Sequence, residues 1–276
     1  MFIKGKKLHK DSEVRVVVHN GMFHADDVFS VALLKWFYVG RTIIVSRTRE
    51  IKAFDQADFV LDTGFIHDGI KFFDHHQPME PRANGVPYAS FGLLVRTLFS
   101  GTELFETMDE FAQSIDSQDN GQFNPTKVNL NGWVKMFNVS YGTDEVDIEQ
   151  FNTAVDIAYT LLSRYIEVAE GKAKAKKEIE AVSTVEENIL ILSKSMPWQE
   201  WFFENNRTED ALVFPGKEEG QWVARVVPVE GGSMVNKVTI PESAIQLPGY
   251  VFRHKSGFMA VFKSLESAVL AAKSAK

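Results

Sequence analysis

The chain has 276 residues, of which 45% are apolar and 12% aromatic, enough to bury one large core or two moderate ones, and two are expected. Thirty Lys+Arg against 37 Asp+Glu leave a formal charge of −7, which argues against a broad basic surface that coats nucleic acid. It does not exclude an enzyme that meets phosphates through cations, because such an enzyme needs acidic ligands; with no cysteine, those ligands must be His, Asp, Glu or backbone.

The first ten residues are lysine-rich but carry no apolar stretch and run into Asp11 and Glu13, unlike a secretory signal. No apolar run approaches the roughly 20 residues that span a bilayer. The expectation is a soluble, intracellular, cytoplasmic protein with no membrane partner.

From there the chain alternates β-branched runs with helical patterns. Residues 14–18 read as a buried strand and 26–38 as a helix with Val28, Phe29, Ala32, Leu33, Trp36 and Phe37 on its apolar side. Strands are predicted at 42–46, 58–61 and 70–73, the grammar of a parallel sheet wrapped by helices. Helices are predicted at 90–99 and 103–117. A long linking helix follows over about 146–182, apolar at its front and Lys/Ala-rich at 171–177, a run that either touches a phosphate backbone or is a solvated face. Beyond it, strands at 188–192, 211–214, 221–227, 235–240 and 250–252 and a helix at 264–272 predict a smaller α/β domain. The expected division is 1–145, 146–186 as the linking helix, and 187–276.

Four clusters of chemistry-bearing residues sit where predicted elements end. The first is His19-Asn20-Gly21-Met22-Phe23-His24-Ala25-Asp26-Asp27, after the first strand, where ligands collect in an open parallel sheet. Gly21 permits the backbone path that turns His19, His24 and Asp26 inward together, although Asp26 can also simply cap the helix. The second is Asp62 after Phe59-Val60-Leu61, placed to bridge two cations or to serve as a strand-to-turn aspartate. The third, Asp74-His75-His76, puts three adjacent metal-capable side chains at a strand end. The fourth is Asp116-Ser117-Gln118-Asp119-Asn120-Gly121, where either aspartate can be a ligand or Asn120-Gly121 can merely stop the helix.

Mixed imidazole and carboxylate donors without sulfur suit Mn²⁺, Mg²⁺, Co²⁺ or Zn²⁺, and an oxygen-rich octahedral site tilts to Mn²⁺. Two cations about 3.5–4 Å apart can activate water and clamp the oxygens of a phosphodiester. Arg47 and Arg49, at the end of the second strand, are either phosphate donors or surface arginines.

The motifs H-N-G-M-F-H-A-D-D (19–27), R-T-R (47–49), V-L-D-T-G (60–64), F-D-H-H-Q (73–77) and I-D-S-Q-D-N-G (115–121) resemble, in order, those of the MYG branch of the DHH phosphoesterase superfamily. Met196-Pro197-Trp198, Gln221-Trp222 and His254-Lys255-Ser256-Gly257-Phe258 resemble that branch's second half, so the likeness spans nearly the whole chain. It implies a parallel-sheet α/β domain with a two-manganese site, a linking helix and a smaller α/β domain that closes on substrate. It further implies a 3′-to-5′ exoribonuclease, a hydrolase acting on RNA or short oligonucleotides. Carried over by position, the implied ligands are His19, His24, Asp26, Asp62, His75 and either Asp119 or Asp116, with His75, His76 and Asp62 at the reaction and His76 a phosphate contact. The branch usually has Cys at position 25 and Glu at 27, where this chain has Ala25 and Asp27, and neither position is expected to be an essential ligand. The stretch 231–242 is compact compared with the branch.

In the second half, His254, Lys255, Ser256 and Gly257 are the expected grip on the polymer, with Phe258 stacking on a base; the alternative is a Ser256-Gly257 turn with Phe258 in the core. Two other readings are weighed. Zinc N-deacetylases also place H-x-D-D after a first strand, as in His24-Ala25-Asp26-Asp27, but have no need of Asp62 or Asp74-His75-His76. A metal-stabilised interaction module without turnover would show a broken ligand set, and none is broken here. RNA, DNA, oligonucleotides and cyclic dinucleotides share one phosphodiester, and the oligomeric state, a homo-oligomer included, is left open.

Overall fold

The computed structural model describes residues 12–122, 129–138 and 148–276; the lysine-rich first ten residues and the predicted start of the long helix at 146–147 lie outside them. The chain divides into two compact units, Met1–Ala169 and Glu170–Lys276.

The first unit is built on β1 (Glu13–Val18), β2 (Thr42–Arg47), β3 (Phe59–Leu61) and β4 (Phe72–Phe73), all parallel and ordered β2-β1-β3-β4. Val14, Val16, Val17 and Val18 are all buried, as β-branched residues of a strand covered on both faces should be. Helix α1 (Ala25–Phe37) returns the chain from β1 to β2, and the chain then crosses back through the short α2 (Ile51–Asp55) to place β3 on β1's other side. That reversal opens a crevice beyond the carboxyl ends of β1 and β3. Register fixes what faces it: Val18 pairs with Leu61 and Leu61 with Phe73, so His19, Asp62 and Asp74 emerge side by side, one residue past each strand.

Helices α3 (Ser90–Phe99), α4 (Phe105–Asp119), α5 (Leu130–Lys135) and the front of α6 (Ile148–Glu178) complete the unit. Phe23, Phe29, Phe91, Phe111 and Phe151 close its core in edge-on and tilted pairs.

The second unit is a six-stranded sheet ordered β5-β6-β7-β8-β10-β9: β5 (Ser183–Glu186), β6 (Ile189–Leu192), β7 (Ala211–Pro215), β8 (Trp222–Val226), β9 (Tyr250–Arg253) and β10 (Met259–Phe262). Only the β6/β7 pair is parallel. Helix α7 (Gln199–Glu204) packs Trp201 and Phe202 into one small core, and α8 (Leu265–Lys273) packs Ala268, Val269, Ala271 and Ala272 into another.

The long helix stops at Glu178, and residues 183–186, expected as part of the linking helix, instead pair as β5 with β6. The strand expected at 235–240 does not form. Residues there make a lone bridge between Pro228 and Asn236 and a backbone exchange between Thr239 and Lys276, with Val235 exposed and only Ile240 fully buried. No helix among the described residues is long and apolar enough to cross a membrane.

Candidate metal centre

The turn after β1 and the ends of β3, β4 and α4 converge. His19 Nδ1 donates to the Asn20 carbonyl at 2.8 Å, which fixes the proton on Nδ1 and leaves the Nε2 lone pair for a ligand. That Nε2 lies 2.8 Å from an Asp27 oxygen and 3.3 Å from Asp62 Oδ2. His75 Nε2 lies 3.2 Å from Asp62 Oδ1 and 3.1 Å from Asp119 Oδ2, while His24 Nδ1 is 3.6 Å from Asp119 Oδ1. Asp62 is therefore addressed from both sides, one oxygen towards His19 and the other towards His75. Its backbone is held at φ 50°, a left-handed conformation that aspartate tolerates better than most residues, at a site where strain is expected to serve function.

Three groups offer ligand atoms within 4.8 Å of one another: His19, His24 and Asp62; Asp62, His75 and His76; and His24, Asp26 and Asp119. Six of the twelve buried side-chain polar atoms that make no well-formed hydrogen bond among the described residues fall in the same place: His19 Nε2, Asp26 Oδ1, both Asp27 oxygens, Asp62 Oδ1 and His75 Nε2. Desolvated acceptors left unpaired are costly, and such a concentration is what a cation would relieve. These residues fit a pair of divalent ions, with Asp62 common to two of the groups.

The electrostatics agree. Burial, reinforced by the charges of Asp62, Asp119 and Asp27, pushes the Asp26 carboxyl well above its usual range. For His75, burial works against the charged ring but is outweighed by the Asp119 and Asp62 carboxylates, which raise it to about 10. Without a cation the cluster thus balances its crowded carboxylates by keeping protons that metal binding would displace.

Asp74 stands apart from the ligand groups. Its Oδ1 accepts the His76 backbone N–H at 2.9 Å and pairs with His76 Nδ1 at 2.7 Å, and its Oδ2 accepts the Phe65 N–H at 2.7 Å. Burial of the Asp74 carboxyl is more than offset by these bonds, so it is held below its usual range. With Nδ1 so occupied, the half-exposed His76 ring has Nε2 to offer a substrate.

Of the two aspartates left open on α4, Asp119 reaches the cluster. Asp116 is turned into the interior, paired with Arg82 Nη2 at 2.8 Å and accepting the Gly92 N–H at 3.1 Å, and belongs to none of the ligand groups. A Cβ at Gly92 would come within 1.8 Å of Asp116 Oδ2, so that pair requires glycine. Arg47 donates to the Gly21 carbonyl at 2.6 Å, its guanidinium 5.3 Å from the Phe23 ring and 5.0 Å from that of Phe151, so it braces the His19–Asp27 turn from behind. Arg49 is exposed. Asp27, set aside in the sequence reading, is fully buried against His19; its signal was its place beside Asp26 in the first turn of α1.

In the second unit, residues 254–258 form the β9–β10 turn. Gly257 has φ 70° and donates its N–H to the His254 carbonyl, His254 Nδ1 meets Ser256 Oγ at 2.8 Å, and Phe258 packs half-buried against the core. The turn-and-core alternative describes the backbone of this segment, with Phe258 partly buried against the core.

A family model named for the MYG1 exonuclease and described as "Uncharacterised protein family (UPF0160)" matches residues 15–275. A MYG1 protein of Chlamydia muridarum is 28% identical, covering 91% of this chain and 93% of its own length. A MYG1 protein of Saccharomyces cerevisiae is 23% identical over 96% of each chain. The MYG1 exonuclease of Homo sapiens is 25% identical over 92% of this chain and 84% of its own. A solved pGpG-specific phosphodiesterase of Vibrio cholerae covers 94% of this chain at 13% identity with a TM-score of 0.33, too slight a likeness to carry weight. Matched along almost all of its length, the chain belongs to the MYG1 exonuclease family.

Proposed function

We propose that this protein hydrolyses phosphodiesters with two divalent cations, most favourably Mn²⁺, and that it acts as a 3′-to-5′ exoribonuclease of the DHH type. The observation that carries the reading is the buried Asp62, shared between two ligand groups in a nest of orphaned polar atoms. The name of the human relative, an exonuclease, and the motif order of the MYG branch support the nucleic-acid substrate and the polarity.

In this reading His19, His24, Asp26, Asp62, His75 and Asp119 hold the cations, with the buried Asp27 carboxylate beside His19 Nε2 adding negative charge to the same cluster. When bound, such a pair supplies Lewis acidity at the phosphate oxygens and lowers the pKa of the attacking water. The chain's own part is to hold the donors before substrate arrives. Asp74 accepts from His76 Nδ1 and so holds the ring for its doubly protonated form, in which Nε2–H donates to a phosphate oxygen, and the turn braced by Arg47 keeps His19 and His24 in place. Arg49 is exposed near the end of β2 and is free to meet a phosphate of the polymer.

End-labelled RNA, DNA and dinucleotides incubated with Mn²⁺ test the proposal, the labelled end reporting polarity. Loss of the 3′ terminus first, about two metals bound per chain and abolition by chelation are the expected results. Full turnover in excess EDTA would sink the two-metal reading.

A further inference from the structure

The proposed site carries no assigned group for the base attached to the phosphate, and one exposed aromatic stands beside it. Phe65 lies three residues past Asp62, with φ 56° and 72% of its surface exposed. A bulky side chain in left-handed backbone is a genuine outlier, and an exposed phenyl gains nothing from folding. Its conformation is nevertheless imposed. The Phe65 N–H is tied to Asp74 Oδ2 at 2.7 Å, Asp74 N–H donates to the Ile66 carbonyl at 3.1 Å, and Gly64 before it takes φ 99°. The same Asp74 carboxylate holds His76, and the Phe65 and His76 rings meet edge-to-face at 5.9 Å. One buried acid thus sets an imidazole and an exposed phenyl as a unit at the rim of the candidate centre.

We infer that Phe65 forms a nucleobase subsite, its free face stacking on the base of the nucleotide whose phosphate meets His76. This rests on the proposed phosphodiesterase reading and deepens it: the ligand is a base-bearing nucleic acid, not a bare phosphate ester. Stacking is tolerant of sequence, because every base has a π-face, which suits removal of successive nucleotides. Phe65 touches base and not the reacting atoms, so its contribution falls on substrate affinity.

The test compares unaltered protein, Phe65→Ala and Phe65→Tyr on short RNA oligonucleotides and on the same oligonucleotides with an abasic residue at the 3′ end. Phe65→Ala is expected to lose roughly 10- to 100-fold in kcat/KM on the base-bearing RNA, mainly through KM, while Phe65→Tyr keeps most of it. On the abasic substrate the three proteins should be nearly alike. In parallel, an oligonucleotide with 2-aminopurine at its 3′ end is titrated in EDTA, where nothing is cut. Its fluorescence should be quenched by the unaltered protein and by Phe65→Tyr but not by Phe65→Ala. Equal losses on both substrates, or quenching that survives Phe65→Ala, would overturn the subsite. If the unaltered protein cuts no diester, the parent reading falls, and the fluorescence titration still decides the subsite by itself.

Discussion

In the proposed reading a single side chain, Asp62, sets the chemistry of the first unit. It is nearly fully buried, reached by His19 on one oxygen and His75 on the other, and it raises the pKa of its neighbour Asp26 by adding negative charge. Asp62→Asn keeps the shape and tolerates the same left-handed backbone, but removes the charge that holds cations together. Metal content and diester turnover are expected to collapse, the latter by several orders of magnitude. The metal-free variant should melt at or above the unaltered protein, because one of several crowded carboxylates is gone. Metal analysis and calorimetry on the same preparation check both halves, and near-normal turnover would make the constellation decorative. The motif residues of this centre were legible because each lies at the start or end of an element whose pattern is plain. The choice between Asp116 and Asp119 was not, since both lie on α4 three residues apart. What turns Asp116 away from the cluster is Arg82, from a loop that no local pattern links to that helix. Arg82 is buried, pairs with Asp109 and Asp116 at 2.8 Å each, and lies over the Tyr88 ring at 4.0 Å. Arg82→Met, leaving two acids without their partner, is expected to cost about 3–5 kcal/mol in denaturant unfolding.

At the scale of elements, the loop between β3 and β4 does more than join two strands. Asp68 accepts the N–H groups of Ile70, Lys71 and Phe72 through one oxygen at 2.8, 2.8 and 2.9 Å, shaping the turn into β4. Burial acts against its charge, but those bonds outweigh it and hold the carboxyl below its usual range. A depressed acid stabilises the fold above its unfolded pKa, about 4, and that contribution is lost as pH falls through the folded value. Asp68→Ala should therefore cost about 0.5–1 kcal/mol at neutral pH, the low end suiting so exposed a site, and little once Asp68 is protonated. Urea melts at pH 7 and at successively lower pH check the difference, and a cost that stays constant down to acid unfolding would remove charge from the explanation. This two-residue strand was legible in outline only. Its neighbours Ile70 and Lys71 are spent on the Asp68 turn, so the apolar run at 70–73 overstates its length. In the second unit the pattern misled more. Residues 235–240 read as a strand, yet Val235 is exposed and only Ile240 is fully buried, because the sheet's neighbour to β8 is β10, a strand at Met259–Phe262 to which no element is assigned from the sequence.

Across the whole molecule the chain forms two separately cored units, and in the proposed reading chemistry and gripping divide between them. Among the described residues every group able to hold a metal falls between His19 and Asp119, so the second unit supplies no ligand to those groups. Its exposed turn at 254–256 is left for a different task. Phe258 is committed to the core, with Arg225 5.5 Å from one side of its ring and His254 4.6 Å away, and Gly257 is buried where a Cβ would meet the Ile240 carbonyl at 2.7 Å. What the exposed part of this turn can offer a polymer is the His254 ring and the Lys255 ammonium, which suit a phosphate contact. Contacts of that kind matter to an oligonucleotide and are irrelevant to a small ester. Replacing His254 and Lys255 together with Ala should lower kcat/KM for RNA oligonucleotides by roughly tenfold and flatten its dependence on salt. Hydrolysis of bis(p-nitrophenyl) phosphate and metal content should be unchanged. Because Gly257 and Phe258 are left intact, the turn should persist, and melting curves that overlay the unaltered protein would show it. Equal losses on polymer and small ester, or none on either, would mean that the second unit selects its substrate through another surface.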